Sequence, residues 1–155
     1  MAGRIAARLS ELAITLPEAP PPAANYVPWV RSGNQVIVAG QIPVRDGKRP
    51  YVGKLGGGVS NADGQAAARL CAINLLAQVR AAVDGDLDRV VRVLRLGGFV
   101  NATADFTEHP AIINAASDLM VEVFGEAGRH ARFAVGAPSL PFDVAVEIDG
   151  LFEVR

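Results

Sequence analysis

Few residues in this sequence could do chemistry, and the most informative is an arginine set among apolar neighbours. Arg132 stands in the run His130-Ala-Arg-Phe-Ala-Val-Gly-Ala-Pro-Ser-Leu-Pro141, where a strand begins. Its guanidinium carries five donors in a planar fork and needs acceptors. An intramolecular carboxylate or the carboxylate of a ligand would serve, and the residues leave both open. Glu147 follows in Asp143-Val-Ala-Val-Glu-Ile-Asp149. On an alternating strand it is either a solvent-facing residue or a proton-handling group in a cleft. Cys71 falls within an apolar helical stripe and reads as a small buried hydrophobe. As the only cysteine it excludes an internal disulfide. With His109 and His130 it offers too little for a His/Cys metal site, so no metal is expected. The sequence has no GxxxxGKS/T loop, no HExxH and no CxxC, and Gly56-Gly57-Gly58 lacks the strand-then-helix context of a dinucleotide site. No cofactor is expected either.

Elements able to position these groups can be read from periodicity. Ile5, Leu9 and Leu12 predict a short amphipathic helix over 3–13, and Pro17, Pro20, Pro21 and Pro22 then impose an extended linker. Strands are expected over 26–31 and 35–39, turned at Ser32-Gly33-Asn34. Residues 45–58 read as a mobile loop with one edge strand near Tyr51. Ser60 caps a helix over 60–83 whose buried face is Ala66, Leu70, Ile73 and Ala77. A strand over 90–100, weakened at Gly97-Gly98, precedes a helix over 110–124 with Ile113, Ala116, Met120 and Phe124 inward. Strands over 131–137 and 143–154 close the chain. The order is ββαβαββ after an extra short N-terminal helix. This predicts an α+β fold with a mixed sheet and both main helices on one face. Two segments are expected: 1–24 as helix and proline-rich linker, and 25–155 as a single domain.

Composition narrows the partners. With 155 residues, one core suffices. Half the residues are hydrophobic, a surplus that points to apolar surface buried between subunits. The net charge of −1 and the absence of a basic run argue against nucleic acid. Arg89, Arg92 and Arg95 are the densest basic stretch and read as polar positions of a half-exposed strand. No apolar run reaches membrane-spanning length and no signal-peptide core is evident, so a cytoplasmic location is expected.

The C-terminal third resembles the signature of the Rid family (reactive intermediate deaminase, YjgF-like). In that family an Ala-Arg pair opens a strand, a Leu-Pro turn follows, and an alternating strand with a central glutamate closes the fold. Three further stretches resemble the family in order: Ser32-Gly-Asn-Gln-Val-Ile-Val-Ala-Gly-Gln-Ile-Pro-Val44, Phe99-Val100 with Asp105-Phe106, and Asn114-Ala115. Departures occur at Ala39, where the family has serine before Gly-Gln, and at Phe133-Ala134, where it frequently has Ser-x-Cys after the arginine. The resemblance implies a chorismate-mutase-like fold and a homotrimer with clefts between subunits. It implies that Arg132 grips a substrate carboxylate and Glu147 handles water or protons. Tyr26, Asn114 and Gly40 would line the same cleft. The activity implied is hydrolysis of small reactive 2-imino or enamine carboxylates to 2-keto acids and ammonia. The alternative is a non-catalytic trimer that binds or senses a small carboxylate; an endoribonuclease is a more distant third.

Overall fold

Ile5 and Leu9, one helical turn apart, explain why the chain opens on a helix: both are buried against the main core. The computed structural model describes residues 3–21 and 24–155; Pro22 of the expected linker lies outside them. Helix α1 spans Arg4–Glu11, and Asp88 accepts from the backbone N–H of Arg4 and Ile5 at 2.8 Å each, satisfying donors that a helix start leaves open. Strands β1 (Trp29–Ser32) and β2 (Gln35–Gln41) form a hairpin, followed by α2 (Asn61–Ala82) and β3 (Val90–Asn101). Helix α3 (His109–Phe124), β4 (Ala131–Ala137) and β5 (Val146–Val154) complete the chain. The strands form one sheet in the order β1-β2-β5-β3-β4, with only β3 and β4 parallel. Helix α3 is their crossover connection. The result is the expected mixed α+β architecture.

Three local expectations need correction. The first strand begins at Trp29, not Tyr26: Tyr26 lies in an exposed turn, its N–H bonded to the Ala24 carbonyl. The 45–58 segment is tied down rather than loose. Leu55 is fully buried; its N–H donates to the Asn101 carbonyl and its carbonyl accepts from Thr103 N–H. The edge strand near Tyr51 is reduced to a single bridge between Val52 and Val144. Finally, α2 has no single buried stripe. Ala67, Ala68, Cys71, Leu75, Leu76 and Val79 are buried along with Leu70 and Ala77, while Ala66 and Ile73 are only half-buried. A helix held between a sheet, a second helix and a linker is covered on most sides, which blurs the one-face pattern. Ser60 caps it as expected, accepting from Asp63 N–H at 3.1 Å.

Gly97 and Gly98 do not weaken β3; they let neighbours approach. A Cβ on Gly98 would come within 2.8 Å of three Ile113 side-chain atoms, so α3 could not seat as closely. A Cβ on Gly97 would meet Asp149 and Phe133 on the other face. That helix-free face carries exposed Val30, Ile37, Phe99 and Val135, with Phe99 and Phe133 in edge contact at 5.4 Å. No described helix is long and apolar enough to cross a membrane.

Candidate functional site

Strand β4 presents Arg132 opposite Leu96 of β3, and therefore toward α3. There its Nη1 donates to Asn114 Oδ1 at 2.8 Å and to Ser117 Oγ at 3.1 Å. Asn114 and Ser117 are three residues apart, so one face of α3 offers both acceptors. No described carboxylate pairs with Arg132, and no described residue accepts from its Nε or Nη2. The ion-pair alternative for this arginine is thus not realised within the described chain. One edge of the fork is held by neutral oxygens, and the other retains two parallel donors, the geometry that a carboxylate takes bidentately.

Behind Ser117 lies His130. Its Nδ1 is 2.6 Å from the Gly128 carbonyl and its Nε2 is 2.9 Å from Ser117 Oγ. Burial lowers the imidazole pKa from its ordinary value; the Gly128 hydrogen bond opposes that and the Arg132 charge adds to it. Neither Ser117 nor His130 was singled out from sequence. The available signal was spacing: His130 and Arg132 sit two apart at a strand start and share a side, as Asn114 and Ser117 share a helix face.

The other expected residues gather elsewhere. Tyr26, Gly40 and Glu147 line a cavity of about 330 Å³. Glu147 lies on the helix-free face of β5, opposite Phe99, and its Oε1 would be 2.9 Å from a Cβ on Gly40. Glycine here keeps the strand backbone open to the carboxyl. Burial raises the Glu147 pKa above its ordinary value, and the Asp149 charge raises it further. At the cavity mouth Arg49 stacks 4.2 Å over the exposed ring of Phe142, a residue held at φ 57°. A larger cavity, about 600 Å³, lies under the linker between Leu16, Pro17, Val44 and Ile73, and none of the expected site residues lines it. Among the described residues no three His, Cys, Asp or Glu side chains converge to hold a metal ion. Cys71 is fully buried, its thiol pKa pushed up by burial.

Arg132 and Glu147 therefore belong to two separate clusters within one chain. Arg132 is level with Leu96 on one face, and Glu147 is level with Phe99 on the other, with β3 between their strands. Two strand spacings and three residues of rise put their backbones roughly 14 Å apart. No three-carbon acid can touch both within one subunit.

This arrangement has relatives. The YjgF/chorismate_mutase-like, "putative endoribonuclease" family model matches residues 6–153. The chain belongs to this YjgF family. It is 51% identical over 154 residues to protein TCP17 of Trypanosoma cruzi, covering 99% of this chain and 96% of the relative. The crystal structure of Atu1372 from Agrobacterium tumefaciens, a protein of unknown function, superposes with a TM-score of 0.91 at 50% identity, covering 97% of this chain and 92% of that one. Escherichia coli TdcF with bound serine matches with a TM-score of 0.64 at 26% identity, covering 89% and 94%. The YjgF fold is thus the fold of this chain.

Proposed function

We propose that this YjgF-family chain assembles as a trimer and hydrolyses small 2-imino carboxylates in clefts between subunits. The carrying observation is the half-satisfied guanidinium of Arg132, pinned by Asn114 and Ser117 and left with two parallel donors. The division of Arg132 and Glu147 between two clusters supports a cleft completed by a neighbour, because each cluster alone lacks half the chemistry. The apolar face bearing Ile37, Phe99 and Val135 supports association. Serine bound to TdcF supports a ligand with a carboxylate and a nitrogen on the adjacent carbon.

In this reading the Arg132 fork of one subunit fixes the substrate carboxylate, which fixes the imine carbon beside Glu147, Gly40 and Tyr26 of the next. An imine carbon is electrophilic, so positioning a water supplies much of the rate. Water adds to the carbon as Glu147 takes one of its protons and passes it to the nitrogen; Glu147 then carries the hydroxyl proton of this adduct to the same nitrogen, and the C–N bond breaks to give a 2-keto acid and ammonia. A carboxyl whose pKa is raised from its ordinary value exchanges protons near neutrality with less mismatch than an unshifted one. The test is ammonia release from an enzymatically generated 2-imino acid with and without the protein. Acceleration that vanishes in Glu147→Gln carries the reading. Keto acid binding without acceleration would leave a carboxylate-binding trimer instead.

A further inference from the structure

We propose that Ser117 and His130 are positioning residues for Arg132: a neutral imidazole accepts the hydrogen bond of the serine hydroxyl and so leaves the serine oxygen to accept from the guanidinium. This rests on the reading of Arg132 as the anion grip and adds what holds that grip in place. The proton count follows from the contacts. His130 Nδ1 is 2.6 Å from a carbonyl, which can only accept, so Nδ1 carries the proton. Nε2 of the neutral ring is then an acceptor, and the hydroxyl 2.9 Å away must donate to it. Ser117 Oγ has no second proton and faces Arg132 Nη1 as an acceptor at 3.1 Å. With Asn114 Oδ1 it fixes Nη1 from two directions and therefore the plane of the whole fork. The Nε/Nη2 edge is thereby aimed before any ligand arrives, which reduces the ordering cost of binding.

Protonation of His130 undoes this arrangement. Nε2–H would donate to Ser117 Oγ, the hydroxyl proton would need another acceptor, and a second cation would stand one hydroxyl away from Arg132. The other charged groups nearby are committed or outward. Arg129 pairs with Glu126, Arg92 donates to the Arg129 carbonyl, Arg95 pairs with Asp149 on the opposite sheet face, and Asp118 is exposed on α3. Arg132 is the charge that acts on the imidazole, and it favours the neutral ring.

The experiment uses full-length protein labelled with ¹⁵N in arginine and histidine. Four proteins are compared: the parent, Ser117→Ala, His130→Phe and His130→Gln. Glutamine offers a carbonyl oxygen near the Nε2 position; phenylalanine keeps the ring and loses the acceptor. Without ligand, the parent should show an Nδ1-protonated His130 and slow rotation of the Arg132 guanidinium. Ser117→Ala and His130→Phe should free that rotation, and His130→Gln should restore it. Pyruvate affinity should fall about fivefold in the first two, the worth of one hydrogen bond, and recover in His130→Gln. In the parent the slow rotation should be lost as pH falls through an imidazole value below the ordinary one, and His130→Gln should show no such step. Equal rotation in all four proteins, or equal loss in His130→Phe and His130→Gln, overturns the proposal. If the rotation pattern holds but pyruvate never binds the parent, the anion-grip reading fails while the immobilisation of Arg132 stands. Should His130→Phe not fold, Ser117→Ala decides alone: freed rotation supports the proposal and unchanged rotation overturns it.

Discussion

Mixing two inactive variants gives a direct reading of where the cleft lies. Arg132→Ala removes the fork, and Glu147→Gln removes the proton carrier while keeping its shape. Each variant alone should lose most of its turnover: on the order of thirty-fold or more from the lost two-point grip, and roughly 10²–10⁴-fold from the lost acid–base group. Within one chain the two side chains lie on opposite sheet faces with β3 between their strands. If each cleft takes Arg132 from one subunit and Glu147 from its neighbour, a mixed trimer can contain an intact one. Random co-assembly in equal amounts restores about one quarter of the clefts, since each half comes from the intact parent type with a probability of about one half under cyclic symmetry. Every mixed trimer isolated from that population has one intact cleft of its three, so its activity per subunit should recover to about one third of the parent's, far above either variant alone. The two chains would be co-expressed with different tags, the mixed trimers isolated on both tags, and their mass checked by light scattering. Verified mixed trimers with no recovered turnover would refute the shared cleft. A stable monomer at micromolar concentration would refute the assembly itself.

Other perturbations separate binding, ionisation and packing. Arg132→Ala should weaken pyruvate binding about thirty-fold or more while lowering stability by only about 1–2 kcal/mol, because its internal partners are neutral oxygens and no buried charge is orphaned; calorimetric titration and thermal unfolding read the two effects, and a large stability loss with unchanged binding would mark Arg132 as structural. Since the folded-state pKa of Glu147 is raised, the folded protein holds that proton to higher pH than the unfolded chain, and its contribution to stability declines as pH rises from the ordinary carboxylate range through the raised value. The acid limb of the pH–rate profile should lie at that raised value and move down in Asp149→Asn, which removes the like charge and frees Arg95 from its pair; an unmoved limb would show that another group titrates. Gly98→Ala forces a methyl against Ile113 and should cost about 1–3 kcal/mol, or roughly 2–12 °C in melting temperature. Most of that clash should disappear in an Ile113→Ala background, which removes all three atoms the methyl would meet, and calorimetry of the four proteins closes the cycle.

Periodicity and turn chemistry determined the elements. Apolar positions at helical spacing placed α1 and α3, the Ser60 cap placed the start of α2, and alternation placed β5, because these signals arise from contacts within a few residues. The resemblance of the C-terminal run to a known signature pointed to Arg132 and Glu147, and the resemblance over the rest of the chain pointed to Asn114, Tyr26 and Gly40. What no local pattern contains is which strands lie side by side and which face each residue then takes. Strand order put β4 beside β3 and β5 between β3 and β2, and that alone divided Arg132 and Asn114 from Glu147, Gly40 and Tyr26. Leu55 looked like part of a loose glycine-rich loop until its backbone bonds to Asn101 and Thr103 carried it into the core. Gly98 looked like a weak point in a strand until Ile113, fifteen residues on, proved to need the space. Ser117 and His130 were ordinary polar residues in sequence. Packing α3 across β4 joined them to Arg132, because hydrogen-bond partners thirteen and fifteen residues apart are chosen by tertiary distance and not by neighbours along the chain.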